Sequence, residues 1–533
     1  MIELIKKKSA NLKDDFLSGL TVALALVPEA VAFAFIAEIP PIIGLYGAFM
    51  VGLITSIFGG RPGMISGATG ALAVVMVSLV AEAPQHAPEG MAEPGLQYLF
   101  ATLLLMGVIQ ILFGVLKLGK LVRLIPHPVM MGFVNGLAIV IFTAQLGMLK
   151  TPDGEWLQGS AMGIMLGLIA LTMGIMWLLP KATRKVPAGL VAIVTVTCIV
   201  FFGGLETDTV LSFLQSKGDA DASMKAGLPT FSMPFTGYLD HLFTLETLKF
   251  IGPYAFILAA IGLIESLMTL QLVDELTETK GNSNRESIGQ GLANIVNGFF
   301  GGMGGCAMIG QSVINVTSGG RGRASGIVAS LGLLSFILFL SDLIEIVPIA
   351  ALVGVMFMVV IGTFAWSSFR IMTKIPLADA IVIILVSALT VMFDLAVAVI
   401  SGIIVSALVF AWESAKRIRA RKLYKEDGTK VYQIWGPLFF GSIQDFNAKF
   451  DITNDPVKVE IDFIESKVQD HSGIEAITNL INKYESQGKS VKLTHLSPDC
   501  QNLLIKSDKH LADSIVKDID DPRYHVMMEV EIE

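Results

Sequence analysis

Apolar residues run in long blocks along most of the chain, and charged residues collect in short clusters between them. Charge-free runs include Ile39 to Gly60, Pro62 to Ala81, Pro94 to Leu116, Leu124 to Leu149, Val186 to Leu205, Ser287 to Gly320 and Ile346 to Phe369. Several reach the ~20 residues that a helix needs to cross a bilayer. The stretch Phe16 to Ala37 follows Lys6, Lys7 and Lys8, has no small-residue cleavage site and leads straight into another span, so it reads as a first membrane helix and not a signal peptide. Lysine and arginine cluster at Lys6 to Lys13, Lys117 to Arg123, Lys181 to Lys185, Lys280 to Arg285, Arg321 to Arg323, Arg370 to Lys374 and Lys416 to Lys425. Short basic loops stay on the cytoplasmic side. Glu82 to Glu93 and Ser341 to Glu345 carry no Lys or Arg and fit the opposite side. The pattern predicts about fourteen segments with both chain ends in the cytoplasm, in a bacterial inner membrane.

Two places break the helical reading, and they resemble each other. One runs Phe58-Gly59-Gly60-Arg61-Pro62-Gly63 and on to Gly70; the other runs Phe300-Gly301-Gly302-Met303-Gly304-Gly305 and on to Gln311. Each is too glycine-rich for a buried helix and then opens a short apolar segment. Irregular backbone at membrane depth is tolerated only inside protein or along a watery cavity. Paired interruptions at matching positions of two halves point to inverted repeats with a binding site between them. The alternative is two ordinary glycine-rich loops. The repeats are expected at about residues 12–205 and 250–415, within a membrane domain of residues 1–415.

After Trp412 the periodicity changes. Val457 to Ile464 alternates as a strand, Ile474 to Tyr484 has helical spacing, Lys489 to Leu496 reads as a strand and Cys500 to Ser507 as a helix. These predict a small cytoplasmic α/β domain over residues 430–533, joined by a charged linker at 416–429.

Composition agrees with this division: 53% of the 533 residues are hydrophobic and 16% charged. The net charge of -8 lies almost wholly beyond Lys430, where 11 basic residues face 18 acidic ones. That acidity, without a basic patch, argues against nucleic-acid binding. The three cysteines, Cys198, Cys306 and Cys500, have no paired spacing for disulfides or a metal. No nucleophile elbow, P-loop or zinc-protease motif occurs, so an enzyme is not expected and transport must run on a gradient.

Ionisable residues within membrane spans are functional candidates. Glu265 lies in an apolar run with Thr269 one turn later on the same helical face. A carboxylate beside a hydroxyl suits sodium or a proton, since a hard cation prefers oxygen ligands; the other reading is a structural carboxylate bonded to the neighbouring repeat. Glu29 follows Pro28, which breaks the first helix and frees backbone groups. It serves either function or the kink. Asp394 reads as a helix cap, and His127, between two prolines, as an interfacial residue.

Taken together, Leu20 to Phe33 with Val-Pro-Glu-Ala, Ile39-Pro40-Pro41-Ile42-Ile43-Gly44-Leu45-Tyr46, and Asn282 to Ile295 resemble the SulP anion permeases (solute carrier family 26). Asp470-His471-Ser472-Gly473-Ile474 and Leu496-Ser497-Pro498-Asp499-Cys500 look like signatures of the STAS domain that ends such chains. The resemblance implies an α-helical polytopic membrane protein of seven plus seven inverted spans, with core and gate domains as in nucleobase permeases, followed by the STAS domain. It implies a homodimer that carries a small anion by elevator-like alternating access. The substrate would sit between the facing N-termini of the third and tenth helices, near Thr69 and Gln311, against Phe33, Ala68, Thr69, Gly70, Ile309, Gly310, Gln311 and Ser312. Helix N-termini attract anions without a lysine. In relatives that take bicarbonate with sodium, the cation lies by an acidic residue of the eighth helix, which Glu265 and Thr269 match, with Thr69 beside them and Glu29 as a further acidic candidate.

Two residues depart from the family pattern: Gln311 stands where arginine is frequent, and Glu29 where glutamine is. The site is then less positive and suits a singly charged anion better than a divalent one unless a cation accompanies it. Cation-coupled uptake of bicarbonate, ahead of sulfate, is the expectation, with no cofactor beyond a sodium ion. An uncoupled channel or an exchanger for chloride or dicarboxylate is the alternative; a nucleobase permease is disfavoured by the STAS domain. His471 replaces a phosphorylatable serine, which leaves that domain a scaffold or dimer role.

Overall fold

Each apolar block becomes a helix, because a segment in lipid must satisfy its backbone N–H and C=O groups internally. The computed structural model describes residues 2–119, 126–151, 154–182, 187–216, 227–393, 395–507 and 509–516. The chain divides into two units, Met1–Ile403 and Ile404–Glu533. The first half contributes α1 (Ile2–Ile36), α2 (Pro41–Phe58), α3 (Gly70–Glu82), α4 (Pro94–Val115), α5 (His127–Gly147), α6 (Gly159–Ala182) and α7 (Ala188–Gly203). The second contributes α8 (Leu245–Thr277), α9 (Ser283–Phe299), α10 (Ile309–Thr317), α11 (Arg323–Phe339), α12 (Ile349–Thr363), α13 (Leu377–Met392) and α14 (Leu395–Ala415). Short surface helices lie between some of them. Among the described residues, eight helices are long and apolar enough to cross a membrane, and α3, α7, α11 and α13 are shorter apolar ones. Helices α2 and α4 start at Pro41 and Pro94, positions where a missing N–H costs nothing. His127 opens α5. Asp394, read as a cap, lies outside the described residues, as do parts of the basic clusters near 120–123 and 183–185.

The two halves interleave. Helix α9 packs along α4, α1 along α11, and α1 and α9 both against α2, which makes a core group. Helix α13 packs along α5, and α12 along α6 and α5, which makes a gate group. In lipid, helices associate through close packing of small residues. Gly107 of α4 and Gly291 of α9 show the reason: a Cβ on either would stand 2.5 Å from the other's carbonyl oxygen.

Polar side chains of α9 join the repeats. Asn294 donates to the Gly305 carbonyl at 3.0 Å and accepts from the Gly305 N–H at 3.0 Å, and it also donates to Gln110. Gln290 donates to Ser66 Oγ at 2.9 Å, and the Glu286 carboxylate accepts from the Gly60 N–H at 2.7 Å. Arg61 is held by Asp274 at 2.9 Å. Buried polar groups must be paired, and here the pairing fixes both irregular stretches. The Asn282 to Ile295 motif is thus largely scaffold.

In the second unit, strands β3 (Arg419–Tyr424), β4 (Lys430–Trp435), β5 (Lys458–Glu465) and β6 (Ser490–Thr494) form one sheet in that order; the β3 and β4 pair is antiparallel and the others parallel. Helices α15 (His471–Glu485) and α16 (Pro498–Ser507) accompany it. Residues 416–429, expected as a linker, instead carry β3, so the sheet begins before Lys430. An edge strand rich in Arg and Lys is a common device against edge-to-edge pairing, and its charge disguised it. Asp470 is the N-cap of α15, accepting from Gly473 N–H at 2.8 Å and from Phe440 N–H at 2.8 Å. Asp455 is buried, bonded by Lys430 at 2.5 Å, Tyr432 at 2.8 Å and Tyr484 at 2.5 Å. Burial raises its pKa, but these donors outweigh burial and hold the carboxyl below its ordinary range.

Candidate anion and cation site

The two glycine-rich stretches meet. Strands β1 (Ser66–Ala68) and β2 (Gly305–Ala307) pair antiparallel, with Gly67 opposite Cys306. Each strand leads directly into a short helix, α3 or α10. The N-cap of α3 is Thr69, where the family resemblance places the start of the third helix. Helix α10 begins at Ile309 with Met308 as N-cap, two residues before the expected start, so Gln311 lies in its first turn. The first N–H groups of both helices are unused by their own helices, and each end carries partial positive charge.

Around α3 the site is closed. Thr69 is 2% exposed and Ala68 1%. Gly70 sits under the ring of buried Phe33: a Cβ there would stand 2.8 Å from Phe33 and 3.0 Å from Ile141. Around α10 it is open, since a Cβ on Gly310 would meet nothing within 4 Å. Ser312 is fully buried; it accepts from Ile65 N–H at 3.0 Å and donates to the Ile65 carbonyl at 3.2 Å. Its hydroxyl therefore ties α10 to the first repeat and does not face the gap at Gly310.

The acidic candidates lie on different partners. Glu29 of α1 accepts a short hydrogen bond from the amide of Gln311. Glu265 of α8 accepts from the Cys306 thiol at 3.0 Å. Cys306 in turn lies 3.3 Å from Thr69 Oγ1. Neighbouring Ser266 accepts from the Ala307 N–H at 3.0 Å, which fixes β2 against α8. Thr269 is buried, but its hydroxyl donates to the Glu265 carbonyl at 2.8 Å, leaving only its lone pairs to contact a cation. Carboxylate and hydroxyl oxygens suit sodium or a proton. No group of three or more His, Cys, Asp or Glu side chains able to hold a metal occurs among the described residues.

Two of these contacts escape the sequence. Cys306 reads there as an unpaired cysteine; the available signal is its place in the non-helical run before α10. The contact between Glu29 and Gln311 joins the two residues that depart from the family pattern. A cavity of about 1150 Å³ lies between α1, α3, α5 and α6, lined by Phe35, Glu38, Val74, Thr143, Lys150 and Asp208 among others. It reaches Val74, one turn along α3 from Gly70, but Glu265, Thr69 and Gly310 do not line it.

The chain matches the sulfate permease family over residues 12–386, and it belongs to that family of membrane anion transporters. It is 43% identical to YbaR of Bacillus subtilis (strain 168), provisionally named a sulfate transporter, over 93% of this chain and 96% of the relative. It is 32% identical to the bicarbonate transporter BicA of Picosynechococcus sp., over 89% of this chain and 86% of that one. Among solved structures, the transmembrane domain of a cyanobacterial BicA matches with a TM-score of 0.62 and 31% identity, covering 73% of this chain and 97% of that one. Murine Slc26a9 in the inward-facing state matches with a TM-score of 0.77 at 18% identity, over 95% of this chain and 90% of that chain, which establishes a shared fold. The membrane unit is therefore the SulP fold, and the C-terminal α/β unit stands where the resemblance expects the STAS domain. The chain is a multi-pass transporter, not an enzyme.

Proposed function

We propose that this protein takes up a small, singly charged anion, bicarbonate ahead of sulfate, together with sodium or a proton. The observation that supports this most is the placement of Glu265: an intramembrane carboxylate bonded to the strand between the two half-helices, within one thiol of the α3 N-cap. An uncoupled anion pathway gains nothing from such a group. The Glu29 and Gln311 pair favours one negative charge on the substrate over two, because a carboxylate already stands at the α10 N-terminus. Separate core and gate groupings fit elevator-like movement of the site. In this reading the protein is a homodimer of a bacterial inner membrane with both chain ends in the cytoplasm. The test is uptake of radiolabelled bicarbonate, sulfate, chloride and dicarboxylates into proteoliposomes with and without sodium or pH gradients. Bicarbonate accumulation driven by one gradient is expected; equal uptake without any gradient overturns coupling.

A further inference from the structure

Cys306 occupies an unusual place. It is fully buried, and its sulfur bridges two residues of different elements, Glu265 of α8 and Thr69 at the α3 N-cap. Thr69 makes no side-chain bond to its own helix, although threonine is a good N-cap. Its hydroxyl is committed to the thiol instead. The elements packed against α8 here bring no other carboxylate or base to the bridge. Helices α4 and α10 have none, Glu82 lies at the far end of α3, and Arg285 and Glu286 in the first turn of α9 are bonded to Phe58 and Gly60. Asp240 and His241 sit in the short helix Leu239–Leu242 that precedes the start of α8, more than twenty residues before Glu265.

We propose that Cys306 is a positioning residue that relays cation occupancy at Glu265 to anion binding at the α3 N-terminus, by reversing the direction of the hydrogen bonds through its thiol. A thiol is both a weak donor and a weak acceptor, and a hydroxyl is both as well. With Glu265 ionised, the Cys306 S–H donates to its carboxylate, and Thr69 donates to sulfur. The Thr69 lone pairs then stand at the α3 N-terminus and disfavour an anion there. A proton on Glu265 makes that carboxyl the donor to sulfur, and a sodium ion there takes the carboxylate lone pairs. In either case the S–H turns to Thr69 Oγ1, and the Thr69 O–H is released to donate to an anion at the α3 N-terminus. Each group keeps its own proton, and the only added charge is the cation. An anion is then favoured once the cation is present, and by reciprocity the anion favours the cation.

This inference rests on Glu265 being the cation site, and the experiment separates the two. Bicarbonate and sulfate binding to the full-length protein is measured against sodium concentration and pH for wild type, Glu265→Gln, Cys306→Ser, Cys306→Ala and Thr69→Val. Infrared difference spectra of the S–H stretching band accompany it, with Cys306→Ser as the blank for Cys198 and Cys500. If Glu265→Gln keeps the wild-type cation dependence, the cation-site reading fails. If that reading holds, Cys306→Ser should retain most of the dependence because a hydroxyl relays in both directions. Cys306→Ala and Thr69→Val should each lose roughly five- to tenfold of it, the value of one hydrogen bond. The Cys306 band should shift when sodium or acid is added to wild type and stay fixed in Glu265→Gln. Full cation dependence in Cys306→Ala, or a band that does not move in wild type while Glu265→Gln abolishes coupling, overturns the relay. Should Cys306→Ala fail to fold, the wild-type band and Cys306→Ser still decide.

Discussion

The two half-helices are built alike and finished differently. Each follows a Phe-Gly-Gly turn, passes through a three-residue strand and starts a helix at the shared ladder. At α3 the first turn is roofed by Phe33, and its cap is wired through Cys306 to Glu265. At α10 the first turn is open beside Gly310, and its amide is held by Glu29. Symmetric backbone supplies two anion-attracting ends; asymmetric side chains, in the proposed reading, link one end to the cation site and leave entry and charge selection to the other. Inverted repeats thus need no symmetric chemistry.

The largest expected effect comes from cutting the cation arm. Glu265→Gln keeps size and some hydrogen bonding but removes the charge, so the protein should insert and fold yet lose gradient-driven accumulation. Coupling between two ligands is typically worth roughly 5- to 150-fold in affinity, and that factor should vanish. Uptake against imposed sodium and proton gradients measures it, with anion binding followed separately by thermal shift. Anion binding itself should survive, since the helix ends supply it. Full coupled accumulation by the mutant would make Glu265 structural and leave Glu29 as the remaining acidic candidate.

A matched pair of glycine substitutions tests closed against open. Gly70→Ala forces a methyl into Phe33 and Ile141 and should lower stability by about 1–3 kcal/mol, with transport falling alongside. Gly310→Ala meets no atom and should leave stability unchanged or raised by less than ~1 kcal/mol. Its methyl enters the gap, so anion affinity should fall without unfolding. Melting curves with and without bicarbonate separate the two; equal stability losses would show that the open end is not open.

A smaller effect is expected from the charge at the open end. Gln311→Arg converts the amide bond to Glu29 into an ion pair, which neutralises the carboxylate. Sulfate should gain over bicarbonate in competition by roughly fivefold, about 1 kcal/mol. Glu29→Gln with Gln311→Arg leaves the arginine unpaired and should enlarge that shift. An unchanged ratio in both variants would mean that neither residue faces the substrate.

Much of this comparison is legible in the sequence. Long apolar blocks fix the spans, and the repeated Phe-Gly-Gly marks where they break, because lipid forbids irregular backbone outside such a site. Glu265 follows from its charge within an apolar run, and Thr69 and the start of α3 follow from the family resemblance. What does not follow is which side chains meet. Glu29 and Gln311 lie 282 positions apart, and the Cys306 contact depends on the register of a three-residue ladder. Ser312 looks like a first-turn hydroxyl for the anion, yet the crossing of the strands points it at Ile65. Strand β3 was hidden because Arg419, Arg421 and Lys422 read as linker charge, while the partner that makes it a strand lies across a turn.

The smallest effect on substrate choice should come from removing the STAS domain, and the position of the cut matters. Both half-helices, Glu265 and Glu29 lie in the membrane unit, whose helices satisfy their own backbone in lipid. A chain ending at Ala415, the last residue of α14, should insert and keep the wild-type bicarbonate-to-sulfate ratio even if its rate falls. A chain ending at Thr429 keeps Arg419–Tyr424 but loses β4, the strand that β3 pairs with. It presents an unpaired strand, a template for association between copies. Size-exclusion profiles in detergent should show the longer truncation associating more than the shorter, while the anion ratio of both stays at the wild-type value. A changed ratio in the chain ending at Ala415 would mean that the two half-helices do not by themselves select the anion.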